Sequence, residues 1–237
     1  MKENIFIDTI KDTKLLTAIS LGSLGLSFWQ ILQTALATIS QGRLTFWMPV
    51  YFLAGLAGFA VLLILPGHFI RLILKAGNND RNLFDWHELA DIQNAVLAPA
   101  FKFALICFWS FLPVEMYLAL AAKNHHPPSP WAAALLAALG LIYFPMALLM
   151  AAVTGKIMPS LLPSNVIEPI FKTFKSYLMF LLPFWVVCLT PFMALLLWPI
   201  QVIGPLLASF IILYLWTCGM KLLGNFYHKN KDALKWQ

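Results

Sequence analysis

The residues that could do chemistry in this chain are few and set in apolar surroundings. Glu115 is an acid inside the run LICFWSFLPVEMYLALAA, two residues after Pro113. Ionising a carboxylate in hydrocarbon costs several kcal/mol, so an acid kept there is a candidate proton site for coupled transport. The competing reading places Glu115 close enough to an interface to reach water, because His125 begins a polar turn ten residues later. His125 and His126 could join Glu115 around a metal ion. Adjacent positions seldom aim at one ion, however, and no third histidine is near in sequence, so no metal is expected. His68, Arg71 and Lys75 recur at spacings of three and four and so share one helix face. That row suits a lipid phosphate, or else cationic anchors that snorkel from a span end, with Gly77 as the helix cap. Trp86, Lys172 and Lys175 complete the candidate lipid- or partner-binding set, in two polar loops.

Motifs of catalysis are missing. There is no His-Glu-x-x-His, no Gly-x-Ser-x-Gly and no P-loop. Cys107, Cys188 and Cys218 all fall in apolar runs without metal or redox spacing. The expectation is a protein that is not an enzyme and carries no cofactor.

The elements that must position these residues follow from composition. Of 237 residues, 61% are hydrophobic and 11% charged, against about a quarter charged in a soluble domain. The solvent that suits such a chain is a bilayer, where each crossing helix needs about 20 apolar residues. Six spans are predicted, near 15–39, 44–66, 97–122, 131–153, 177–198 and 202–223, in one all-α, polytopic helical membrane domain. No stretch alternates long enough for a β-barrel. The first apolar run is read as a span rather than a cleaved signal, because acids precede it and it is long enough to cross.

Orientation comes from the cations. Lys2, Lys11, Lys14, Arg71, Lys75, Arg81, Lys156, Lys172, Lys175, Lys221, Lys229, Lys231 and Lys235 flank one side, and Arg43 and Lys123 the other. Positive loops stay in the cytoplasm, so both termini are expected there, in a multi-pass protein of the cell inner membrane. The net charge of +6 is spread over four segments with no basic groove, which argues against nucleic acid.

Two cytoplasmic loops carry amphipathic patterns. In NLFDWHELADIQNAV, Asp85 and Glu88 have capping-box spacing, and Trp86 suits the headgroup layer. In SNVIEPIFKTFKSY, Val166, Ile167, Ile170, Phe171 and Phe174 are expected on one side, Lys172 and Lys175 opposite, with Asn165 and Glu168 at capping spacing. Two interfacial helices are predicted. Each pair of flanking spans also shares a Phe-Trp ahead of a proline, Phe108-Trp109 before Pro113 and Phe184-Trp185 before Pro191. That is the pattern of a tandem repeat, set against a biased composition in which such matches arise by chance.

FIDTIKDTKLLTAISLG, PGHFIRLILKAGNNDRNLFDWHEL and YFPMALLMAAVTG with its following SNVIEPIFKTFKSYL together resemble a prokaryotic multi-pass membrane family known only as a domain of unknown function. Gly67-His68-Phe69-Ile70-Arg71 and Phe84-Asp85-Trp86 occupy the places of its span-end and loop motifs. The second acid of the loop motif is absent beside Trp86. The resemblance covers about two thirds of the chain. It implies a helical membrane fold and no activity, cofactor or catalytic residue. The reading that results is an accessory, scaffold or assembly component that presents cytoplasmic interfacial helices to lipid, a membrane-protein partner or a second copy. The alternative is a small permease using Glu115 and its proline-broken spans.

Overall fold

The computed structural model describes residues 9–40, 48–80, 93–194 and 203–236. Among these residues the chain is helical and has no strand. The helices are α1 (Thr13–Ser40), α2 (Met48–Gly77), α3 (Ala98–Lys123), α4 (Pro130–Thr154), α5 (Met158–Leu161), α6 (Pro163–Lys172), α7 (Phe174–Ala194) and α8 (Ile203–Leu234). A π-helical turn, Gln93–Leu97, leads into α3. Within the described residues, Phe59–Gly77, Ala98–Lys123, Pro130–Thr154 and Leu206–Leu234 are each long and apolar enough to cross a membrane. A fifth candidate is the pair α6 and α7, bent by 103° at Thr173.

Two helices overrun their predicted ends. α2 passes through Pro66 and continues to Gly77. The proline removes one backbone donor, but beyond it Phe69, Ile70, Leu72, Ile73 and Ala76 are all buried, and that packing carries the helix on. Gly77 is not the left-handed cap. That role falls to Asn79, at φ 57°, with Asn79 N donating to Ala76 O and Asp80 N to Lys75 O, the paired bonds of a Schellman end. α8 likewise continues to Leu234, because Leu223, Phe226, Tyr227 and Leu234 remain buried after the apolar span has ended.

The core lies around the second half of α4. Every residue from 144 to 152 is buried, so no side of that half-helix faces outward. A helix apolar all round belongs inside a bundle, and α4 has α2, α3, α5, α6 and α8 against it. Pro145 leaves the carbonyl of Leu141 without its helical donor and loosens the turn. One residue on, the Tyr177 hydroxyl of α7 donates to Ile142 O at 2.5 Å. Tyr177, Phe180, Phe184 and Phe226 then form a chain of ring contacts between α7 and α8. The first half of α4 differs: Trp131, Leu135 and Leu139 are exposed there.

On the other flank α1, α2 and α8 pack on one another. α8 comes close to the backbone of α2 at Gly224, which lies over Ile73, Ala76 and Gly77. Lys102, in the second turn of α3, reaches the end of α4 and donates to Gly155 O at 2.7 Å. A cation at a helix C-terminus meets the negative end of the backbone dipole there. Gly155 itself turns the chain at φ 68°, the left-handed geometry glycine adopts without strain.

Candidate functional site

Two regions bring the sequence-predicted residues together. The first is the sharp turn formed by α6 and α7. Pro163 is at the start of α6 and no side chain caps it. Proline suits that place because its missing N–H would be unpaired in any helix. Asn165 is therefore not a cap; it lies inside the helix, and its Nδ2 approaches Pro159 O at 3.4 Å. At 100° per residue α6 divides into three sectors. Val166, Pro169 and Ile170 turn toward the bundle, with Val166 fully buried. Ile167 and Phe171 are exposed, Phe171 by 72%. Glu168 and Lys172 form the third sector and pair at 2.6 Å. Both are more than half exposed, so the pair adds only about 0.3–0.5 kcal/mol.

The apolar residues of this segment thus split into two sets. The expected single side of Val166, Ile167, Ile170, Phe171 and Phe174 is corrected to an inward set and an outward set. The reason is that α6 packs on α4 and α8 with one apolar sector and has a second left over. Phe174 and Lys175 follow on the first turn of α7, both exposed, and Met158 and Leu162 add exposed apolar surface just before α6.

The second region lies between α1, α2 and α8. His68 is buried, not projecting from a span end, and it lines an apolar cavity of about 150 Å³. Ala18 and Gly22 of α1, Ile64 of α2, and Leu213 and Thr217 of α8 form other walls. Arg71 and Lys75 are half-buried further along α2. Lys221 of α8 joins them from inside the predicted span 202–223, near its expected cytoplasmic end. It is 5% exposed and its Nζ donates to Thr9 Oγ1 at 3.0 Å. The Cys218 thiol lies 3.7 Å from the same hydroxyl. Lys75, Arg71 and Lys221 are the cations whose charges act on His68. Nearby, His228 Nδ1 hydrogen-bonds Gly77 O at 3.0 Å and ties the ends of α2 and α8. The sequence signal for Lys221 was its place in LYLWTCGMKLLGNF, where apolar residues continue for another turn after the lysine.

Glu115 stands apart from both regions. It is exposed on α3 beside exposed Met116 and does not line the cavity. His125 and His126 are exposed in the turn after α3, which is tied back by Ser129 N donating to Tyr117 Oη at 2.8 Å. Among the described residues no three His, Cys, Asp or Glu side chains gather as metal ligands. Trp86 and the predicted cap Asp85 with Glu88 lie outside the described residues. No family model, curated protein or solved structure matches this chain.

Proposed function

We propose that this chain is a non-enzymatic, six-span protein of a prokaryotic inner membrane, an accessory or assembly component that works through interfacial helices on the cytoplasmic side. α1, α2, α3, α4, α7 and α8 are the spans. At 1.5 Å per residue the 28 residues of α1 reach about 42 Å and the 21 of α7 about 31 Å, enough for a hydrocarbon core of about 30 Å. α6 then lies along the membrane surface.

The observation that carries this reading is the 103° turn from α6 into α7, together with the exposed Ile167 and Phe171 next to the charged Glu168 and Lys172. A helix set across a span, with one apolar sector free and a charged sector beside it, suits the boundary between headgroups and acyl chains. The permease alternative needs its acid on a path through the bundle. The exposure of Glu115 on the outside of α3 favours the accessory reading over it.

The test has two parts. Spin labels at Phe171→Cys and Glu168→Cys are compared in nanodiscs, with the Phe171 label expected in contact with lipid-soluble oxygen and shielded from an aqueous quencher. Equal aqueous access at both positions would remove the in-plane helix. Wild type and Trp86→Ala are then purified gently from native membranes. A stoichiometric protein partner, lost with Trp86→Ala, is the expected result, and a wild type that purifies alone would count against the accessory role.

A further inference from the structure

The cavity between α1, α2 and α8 sits at the apolar end of a charge gradient carried by all three of its walls. On α2, His68 lines the cavity and Arg71 follows three residues later on the same face. On α8, Thr217 lines it and Lys221 follows four residues later. On α1, which runs the opposite way, Ala18 lines it and Lys14 precedes by four residues. Residues three and four apart share a helix face. Each wall therefore carries a cation one turn beyond the cavity, displaced by about 4.5–6 Å along the axis and toward the cytoplasmic side; Lys14 is exposed and Arg71 half-buried, while Lys221 is buried and donates to Thr9 Oγ1. Leu21 on the cavity rim is 51% exposed, so the cavity reaches the outer surface of the bundle. A space of about 150 Å³ lined mostly by apolar side chains, with His68 and Thr217 among them, is of the size that accepts a benzene-sized group.

We infer that this is a binding site for one anionic glycerophospholipid of the cytoplasmic leaflet, with part of an acyl chain in the cavity and the phosphate toward Lys14 and Arg71, Lys221 lying buried behind them. The inference rests on the membrane-spanning reading of α1, α2 and α8. A zwitterionic lipid of the same chain length fits the cavity equally but loses net attraction to the cations. A free phosphate ester meets the cations but leaves the cavity empty. The site therefore distinguishes its ligand by the combination.

The full-length chain is released from membranes in a mild detergent and examined by native mass spectrometry after addition of phosphatidylglycerol or phosphatidylcholine with identical chains. One retained phosphatidylglycerol per chain is expected, with phosphatidylcholine retained much less. Ala18→Phe, which fills the cavity, and the pair Lys14→Gln with Arg71→Gln should each lower retention. The loss from the paired variant should be roughly thirtyfold, as expected for two removed charges near an anionic headgroup. Ala18→Leu serves as a milder filling variant if Ala18→Phe does not fold, and thermal stability is measured for each. Equal retention of both lipids, or retention unchanged by cavity filling in a folded variant, would reduce the site to annular lipid and overturn the proposal. Full displacement of the lipid by glycerol 3-phosphate would also overturn it, because the apolar cavity would then contribute nothing. Release of the chain from membranes by carbonate without detergent would instead sink the membrane reading on which the inference stands.

Discussion

Replacing Gly224 by Ala tests the packing of α2 on α8 at a point where no side chain can move aside. A Cβ at Gly224 would lie 2.6 Å from Ala76 Cβ, 2.6 Å from Ile73 O and 3.0 Å from Gly77 N. Non-bonded carbons rest about 3.5–4.0 Å apart, so the shortfall is about 1 Å against atoms fixed to the backbone. The helices must separate, and overpacking of this kind costs about 1–3 kcal/mol. Against this, Ala is favoured over Gly in a helix interior by about 1 kcal/mol. The net expectation is a loss of about 1 kcal/mol, several-fold in the unfolding equilibrium. Gly219→Ala, on the same helix, is the control. Its Cβ would meet only side-chain atoms, the nearest being Val187 Cγ1 at 3.2 Å. There the same helical gain should leave stability unchanged or slightly raised. Both variants are compared with wild type by denaturant titration in mixed micelles. If Gly224→Ala proved as stable as Gly219→Ala, the close approach of α2 and α8 would be wrong.

Two further outcomes follow from single contacts. Tyr177→Phe deletes the hydroxyl that donates to Ile142 O and should cost about 0.5–1.5 kcal/mol in the same titration, the net worth of one hydrogen bond; an unchanged midpoint would deny that bond a role. Gly155→Ala forces a β-carbon onto a residue at φ 68° and should cost about 1 kcal/mol. Space is not the obstacle, since nothing lies within 4 Å of the added carbon. Gly155→Asn should therefore recover part of the loss, and equal losses for Ala and Asn would point away from backbone strain.

Apolar length made several helices legible in the sequence. α1, α3 and α4 begin and end within two residues of the predicted limits, because each is an apolar run followed in the sequence by polar residues. The ends of α2 and α8 were harder to read. Their last turns carry charges on one side and bury Ile73, Ala76, Phe226 and Tyr227 on the other. In a linear reading the charges mark a loop, and only the mutual packing of two distant helices makes it a helix. Lys102, a charge near the start of a span, is as hard to interpret from sequence, because its partner, the carbonyl of Gly155, is a backbone atom 53 residues away. Of the candidate site, the row His68, Arg71 and Lys75 was visible from spacing alone, but the cavity it borders needs α1 and α8. The split of α6 into an inward and an outward apolar set could not be read from its sequence, since Val166 and Ile167 differ only in what happens to pack beside them.

The enclosed half of α4 has a consequence for how the bundle closes. Residues 144–152 are covered partly by α8, which is synthesised after α4 and is the last of the described helices. α8 also packs on α1, near the beginning of the chain. Without residues 203–234, α4 and α2 each lack one wall of their burial. Closing this bundle therefore joins helices far apart in the sequence, and a chain without α8 would leave one face of α2 and of α4 uncovered.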